Sequence, residues 1–146
     1  MDDIDRKLID LLMRNARQSS EILSKQLMIS SAAVRRRLDK LLDEGRIRIA
    51  AIPDPMQIGF KLRVYIALNV VHEKLELISS QLANRAEIVL LDVTSGRFDL
   101  IAMAWFSSTD NLYNFIYNVV EKLDGVNNVE TFICLRSEKS FLDNKS

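Results

Sequence analysis

The chain of 146 residues carries 20 Lys+Arg against 20 Asp+Glu, one His and one Cys, with 48% hydrophobic and 27% charged residues. That apolar fraction supports one ordinary domain or two small ones, excludes disorder as the main state, and leaves Cys134 and His72 too few for a disulfide or a metal cage. No apolar run reaches the ~18–20 residues of a membrane span, and Met1, Asp2 and Asp3 carry the wrong charge for a secretory leader. The expectation is a soluble, cytoplasmic protein with no cofactor, no metal and no membrane partner.

The zero net charge conceals an asymmetry. Residues 1–60 hold 11 Lys/Arg and 9 Asp/Glu, whereas residues 61–146 hold 9 and 11. Between residues 25 and 48, seven cations (Lys25, Arg35, Arg36, Arg37, Lys40, Arg46, Arg48) stand against three carboxylates (Asp39, Asp43, Glu44). A basic stripe confined to one region of a neutral chain points to a polyanion site there.

Three helices are predicted first, each with apolar residues three and four apart. Ile4, Leu8, Leu11 and Leu12 mark one. Ile22, Leu23 and Leu27 mark the second, behind the capping pair Ser19 and Ser20, and Val34, Leu38, Leu41 and Leu42 mark the third, behind Ser30 and Ser31. Met28 to Ser30 leave only a tight turn between the second and third. Gly45 ends the third helix, and Arg46 to Ile52 reads as a short strand suited to a wing. Residues 1–52 thus form a winged helix-turn-helix.

Residues 53–61 contain both prolines and read as a linker. The apolar period then changes to two. Leu62, Val64, Ile66, Leu68 and Val70 predict a strand, Leu75, Ile78 and Leu82 a helix, and Glu87–Val93 and Asp99–Phe106 a hairpin closed by Thr94–Arg97. A helix follows, with its apolar face on Leu112, Phe115, Ile116, Val119, Val120 and Leu123, and a last strand holds Val129, Thr131, Ile133 and Leu135. The fold class is therefore α+β, with a ferredoxin-like βαββαβ domain over residues 62–137 and a frayed tail over 138–146. Strands apolar in both phases, with Val93, Ile101, Met103 and Trp105 opposite in phase to Leu100, Ala102, Ala104 and Phe106, predict a sheet covered on both faces, the second cover being another copy of the chain.

A helix-turn-helix lays its last helix in the major groove of double-stranded DNA. At 100° per residue, the core stripe of the third helix leaves Ala32, Arg36 and Lys40 outward, with Arg35 and Arg37 to the sides. Ser31 and Ala32 are small enough for close approach, Arg35 and Arg36 reach bases or phosphates, Lys40, Arg46 and Arg48 meet phosphates, and Ser30 and Arg37 complete the candidate DNA-binding set. The plainer reading of three consecutive arginines is a solvated, ion-paired face. Arg37 in particular stands where an acid on a neighbouring helix would pair with it.

These residues resemble the Lrp/AsnC (feast/famine) transcription regulators over roughly residues 2–137. Asp5-Arg6-Lys7-Leu8-Ile9 resembles that family's opening helix, and Arg17, Ser19 and Leu23 the start of its second. Ser30 through Val34, Arg37, Leu41, Glu44, Gly45 and Ile47 resemble its recognition helix and wing, and Asp54-Pro55 with Ile58-Gly59-Phe60 its linker. Gly96, Phe98 and Asp99 match its Gly-x-Tyr/Phe-Asp signature. The resemblance implies a DNA-binding regulator that forms a homodimer, often a tetramer or octamer, and responds to a small-molecule effector, commonly an amino acid. It places the effector near Thr94–Asp99. There Ser95 and Gly96 offer amides to a carboxylate, Asp92 or Asp99 an acceptor to an ammonium, and Arg97 and Phe98 complete the turn. In that family Arg97 is often Asp, Glu or Asn, Met28 is usually Gly and Ile22 commonly Glu. Two other readings remain at this stage: a regulator that binds DNA constitutively, and a haem-pathway decarboxylase on a similar two-domain fold. The second sits poorly with a chain whose one histidine, His72, lies at a strand end and leaves no nucleophile–base pair.

Overall fold

Each of the first three helices starts where a short polar side chain can occupy the amides left open at a helix N-terminus. In the computed structural model, which describes residues 1–138, they span Asp3–Arg14 (α1), Ser20–Leu27 (α2) and Ser31–Asp43 (α3). Asp2 caps α1 through a capping box. Ser19 accepts from the Ile22 amide at 3.3 Å and Ser30 from the Ala33 amide at 3.2 Å. At the far end of α3, Gly45 takes φ +64° and the Arg46 amide donates back to Leu41 O at 2.9 Å, which stops the helix.

The turn between α2 and α3 rests on an unusual backbone. Met28 sits in the left-handed region at φ 54°, ψ 42°, the one non-glycine residue with positive φ among the described residues. Its side chain is 90% exposed. Met28 therefore carries the steric cost of the left-handed region without a packing contact to offset it. The geometry closes because the Ile29 amide donates to Ser24 O at 3.1 Å. Leu8, Leu12, Leu23, Leu27, Val34 and Leu41 form the core of this unit, Met1–Ile52. Burying a side chain such as Leu8 or Leu23 contributes about 1.5–3 kcal/mol.

Arg46–Ile52, expected as the strand of a wing, is not a strand. A strand needs a partner for its backbone groups, and among the described residues this segment pairs with none.

The second unit, Pro53–Glu138, opens with a single 3₁₀ turn at Pro55–Ile58 within the segment 53–61. Four strands follow: β1 (Leu62–Val70), β2 (Ile88–Val93), β3 (Leu100–Phe106) and β4 (Val126–Ile133). They form one antiparallel sheet in the order β2-β3-β1-β4. Helices α4 (Leu75–Ala83) and α5 (Thr109–Phe115) complete the βαββαβ order, α5 running on as a π-helical stretch over Ile116–Val120. One apolar phase of each central strand makes the core. Val64, Ile66 and Leu68 of β1 and Leu100, Ala102, Ala104 and Phe106 of β3 pack with Ile78, Leu82, Leu112, Phe115 and Val120.

The opposite phase is also apolar. In register across the strands stand Tyr65 and Ala67 of β1, Ile101, Met103 and Trp105 of β3, Leu90 of β2 and Phe132 of β4. Ala67 is buried, but Leu90 and Phe132 are about half exposed, at 47% and 50%. Val93, read from sequence into this phase, instead pairs with Leu100, because the six residues of the Thr94–Asp99 turn set partners of opposite parity across the hairpin. The tail over 139–146 lies outside the described residues.

Met28→Gly should stabilise the first unit by about 0.5–1 kcal/mol, since glycine enters the left-handed region freely and no buried contact is lost. Urea unfolding of the full chain would show a raised midpoint at unchanged slope; a lower midpoint would mean that the turn is not strained.

Candidate functional site

α3 divides its side chains by helical phase. Val34 and Leu41 are buried, with Leu38 packed against them. Ala32, Arg35, Arg36, Asp39 and Lys40 are exposed and border one shallow groove. Ser30 spends its hydroxyl on the cap, and the Ser31 hydroxyl donates to Ser24 Oγ at 3.3 Å, tying α3 to α2. What the start of α3 offers outward is therefore small side chains and its first amides at the positive end of the helix dipole, an arrangement favourable to phosphate.

The cations differ in how free they are. Arg36 and Arg48 make no ion pair among the described residues. Arg35 Nη2 lies 3.3 Å from Glu21 Oε1, but both side chains are 63% exposed, and such a pair holds a side chain weakly. Lys40 and Arg46 share Glu44, whose carboxyl Arg46 holds below its ordinary range. Arg37 is different. Its Nη1 donates to Asp2 Oδ2 and to Asp5 Oδ1, both at 2.7 Å, and only 26% of its side chain is exposed. The neighbouring-helix acids anticipated for Arg37 are thus Asp2 and Asp5 of the α1 N-terminus. Both carboxyls lie below the usual carboxylate range: for Asp2 because the Asp5 amide donates to it and then because of Arg37, and for Asp5 because of the Asp2 amide and then Arg37.

The Thr94–Asp99 turn of the second unit is anchored by its own polar groups. The Thr94 amide donates to Asp99 O at 2.9 Å and the Thr94 hydroxyl to Phe98 O at 2.6 Å. The Asp99 amide donates to Leu68 O, and Asp99 Oδ2 accepts from the Val70 amide at 2.9 Å, which ties the turn to β1. Asn69 Nδ2 donates to Arg97 O at 2.7 Å. Arg97 pairs with Glu130 of β4 at 2.7 Å while its guanidinium lies 5.1 Å from the Phe98 ring centre. One oxygen of Asp99 is therefore committed to the fold, and Arg97, though its side chain is 76% exposed, has Glu130 as a partner. Asp92 lies in register with Ile101 on the apolar phase of the sheet. Ser95 and Gly96 remain exposed, and their amides donate to no group among the described residues. Gly96 holds φ +122°, which a side chain rarely adopts.

Sequence reasoning missed Glu21, Asn69 and Glu130. Asp2 and Asp5 were visible as acids three residues apart at a helix start, a capping pattern, but nothing local joins them to a residue more than 30 positions away. No group of three or more His, Cys, Asp or Glu side chains among the described residues could hold a metal, and no described helix is long and apolar enough to cross a membrane.

Comparison with known proteins gives two family matches: the AsnC-type helix-turn-helix domain over residues 1–42 and the Lrp/AsnC ligand binding domain over residues 63–141. The HTH-type transcriptional regulator Ptr1 of Methanocaldococcus jannaschii is 30% identical over 140 residues, 95% of this chain and 95% of that protein. The regulator FL11 of Pyrococcus horikoshii is 28% identical over 95% of this chain and 92% of its own. Among solved structures, Escherichia coli AsnC superposes with a TM-score of 0.89 at 25% identity, covering 96% of this chain and 95% of that one. A Neisseria meningitidis transcriptional regulator in complex with L-Met gives 0.90 at 22% identity, covering 96% and 93%.

Because Arg37 lowers both partner carboxyls, they stabilise the fold above the ordinary carboxylate range, and that stabilisation is lost as pH falls through their depressed values. Arg37→Gln brings the two carboxyls back toward ordinary values, so acid loss of the first unit should begin at higher pH than in the wild type. Following the Leu8 and Leu23 amides by NMR through an acid titration checks this; coincident curves would show that the ion pairs contribute nothing.

Proposed function

The chain belongs to the Lrp/AsnC family of transcriptional regulators, and on that premise we propose which of its residues read DNA and which bind the effector. It is a helix-turn-helix regulator with a ligand-binding domain. Its DNA-reading element is α3. The observation that carries this is the division of α3, with Val34 and Leu41 held in the core while Arg35, Arg36 and Lys40 stand in solvent on the outer side. Arg36, with no carboxylate partner, contacts base edges or phosphate. Arg35 leaves its weak pair with Glu21 to join it, and Lys40, Arg46 and Arg48 meet phosphates. Ser30, Ser31 and Ala32 bring the first amides of α3 close to the backbone of the duplex. Arg37 takes no part in contact, since its guanidinium is occupied by Asp2 and Asp5.

The second unit binds a small zwitterion, of which an amino acid is the simplest, at the Thr94–Asp99 turn. The free amides of Ser95 and Gly96 support this as donors to a carboxylate. An ammonium would find Asp92 and the remaining oxygen of Asp99, with Phe98 as an apolar wall. The apolar open phase of the sheet, from Tyr65 to Trp105, supports a homodimer closed by a second copy on that face; further assembly to tetramers or octamers is what the family resemblance implies. Paired α3 helices then address half-sites about 34 Å apart or a multiple of that. Effector binding changes DNA affinity by favouring one assembly state over another. The chain acts by binding rather than catalysis.

Arg36→Ala should weaken duplex binding without changing the oligomer mass. Loss of a base contact would cost about 1–3 kcal/mol at that position of the site, and loss of a phosphate contact would reduce the salt slope by about one. Wild-type affinity and slope in a fluorescence titration would remove Arg36 from the reading face. Light scattering coupled to size exclusion, with a panel of the standard amino acids, should show a ligand-dependent mass that Gly96→Glu abolishes. A fixed mass throughout would favour constitutive DNA binding, and a monomer would overturn the sheet-to-sheet dimer.

A further inference from the structure

Asp2 and Asp5 each have two carboxylate oxygens, and the structure divides them cleanly. Asp2 Oδ1 accepts from the Asp5 amide at 2.9 Å and Asp5 Oδ2 from the Asp2 amide at 3.1 Å, which closes the capping box of α1. The other two oxygens, Asp2 Oδ2 and Asp5 Oδ1, both accept from Arg37 Nη1 of α3. The same two side chains therefore end one helix and grip another. Neither carboxylate can swing without breaking the cap, so Arg37 meets a fixed pair of acceptors.

That matters because the other polar ties of α3, Ser31 to Ser24 and the exposed Arg35–Glu21 pair, both lead to α2, and the rest of its packing is apolar, which is not directional. A small rotation or slide of α3 keeps Val34 and Leu41 buried at little cost, but it moves every outward side chain. A charged hydrogen bond to a fixed acceptor resists such motion, since it weakens with angle as well as distance. Arg37 directly follows Arg36, about 100° around the helix. Holding one sets the direction of the other.

We propose that Asp2 and Asp5, acting through Arg37, are positioning residues for DNA recognition: the capping box of α1 sets the angle at which α3 presents Arg36 and Arg35 to the duplex. This rests on α3 being the reading helix. It makes a prediction opposite in sign to simple electrostatics. Removing a carboxylate from a DNA-binding unit reduces repulsion of phosphate and by charge alone should tighten binding. Removing either of these two should weaken it.

Asparagine caps a helix as well as aspartate does, so Asp2→Asn keeps the cap through its one oxygen and replaces the oxygen that accepts from Arg37 by an uncharged NH2 donor. Asp5→Asn leaves Asp2 as the N-cap and removes the second acceptor of Arg37 in the same way. Asp3→Asn is the control, because Asp3 lies in the same turn and carries the same charge but, among the described residues, pairs only with exposed Arg6 at 3.5 Å. The full-length chain would first be used to enrich a duplex from a random pool. Affinity for that duplex would then be measured by fluorescence anisotropy at one salt concentration, with circular dichroism and thermal unfolding confirming that each variant is folded. The expected result is binding about three- to tenfold weaker for Asp2→Asn and for Asp5→Asn, with Asp3→Asn equal to or tighter than the wild type. Arg37→Gln should weaken binding similarly, Arg37→Lys less so, and Asp5→Asn should add nothing to Arg37→Gln, because all act through one network. If Asp2→Asn and Asp5→Asn bind as tightly as Asp3→Asn, the positioning role is overturned while α3 remains the reading helix. If the wild-type chain enriches no duplex, the DNA reading itself fails, and the proposal with it.

Discussion

An amphipathic element can remove only one stripe from water, and in this chain that constraint decides what is left for function. Once Val34 and Leu41 are buried, at 0% and 3% exposure, α3 has no freedom in which residues face out. Ala32, Arg36 and Lys40 follow from helical geometry. In the sheet the same rule operates with a period of two. Leu100, Ala102, Ala104 and Phe106 go to the helices, and Ile101, Met103 and Trp105 are presented on the other face.

Polar groups then determine how rigidly those faces are held. In the first unit the acids of α1 serve two purposes, ending their own helix and holding Arg37. In the second, Asp99 draws the Thr94–Asp99 turn onto β1 through the Val70 amide, and Arg97 draws it onto β4 through Glu130. A turn tied at both sides presents the Ser95 and Gly96 amides from a defined position, as a binding turn requires. Met28 is the counterexample, a bulky residue kept in a backbone state that suits glycine in the short connection between α2 and α3.

Much of the fold was legible in sequence, because caps and periodicity are local. Ser19 and Ser30 stand at the N-termini they cap, and the alternation from Leu62 to Val70 matches β1 residue for residue. What failed did so for non-local reasons. Arg46–Ile52 alternates as a strand does, yet alternation cannot supply a neighbour for its backbone groups. Val93 was put on the wrong face because the length of the Thr94–Asp99 turn, not the parity of residue numbers, decides which residues pair across the hairpin.

The candidate sites follow the same division. Which residue types lie in α3, and which of them point away from its core, was set by sequence alone, since helical phase needs only a count along the chain. Which cations are free was decided by tertiary structure. Arg36 and Arg37 are neighbours of identical chemistry, but only Arg37 meets carboxylates brought from more than 30 residues away. Asp99 likewise looks available in sequence and is half occupied in the fold. A charge is as strong as its surroundings allow, and those surroundings are assembled from distant parts of the chain that no local pattern connects.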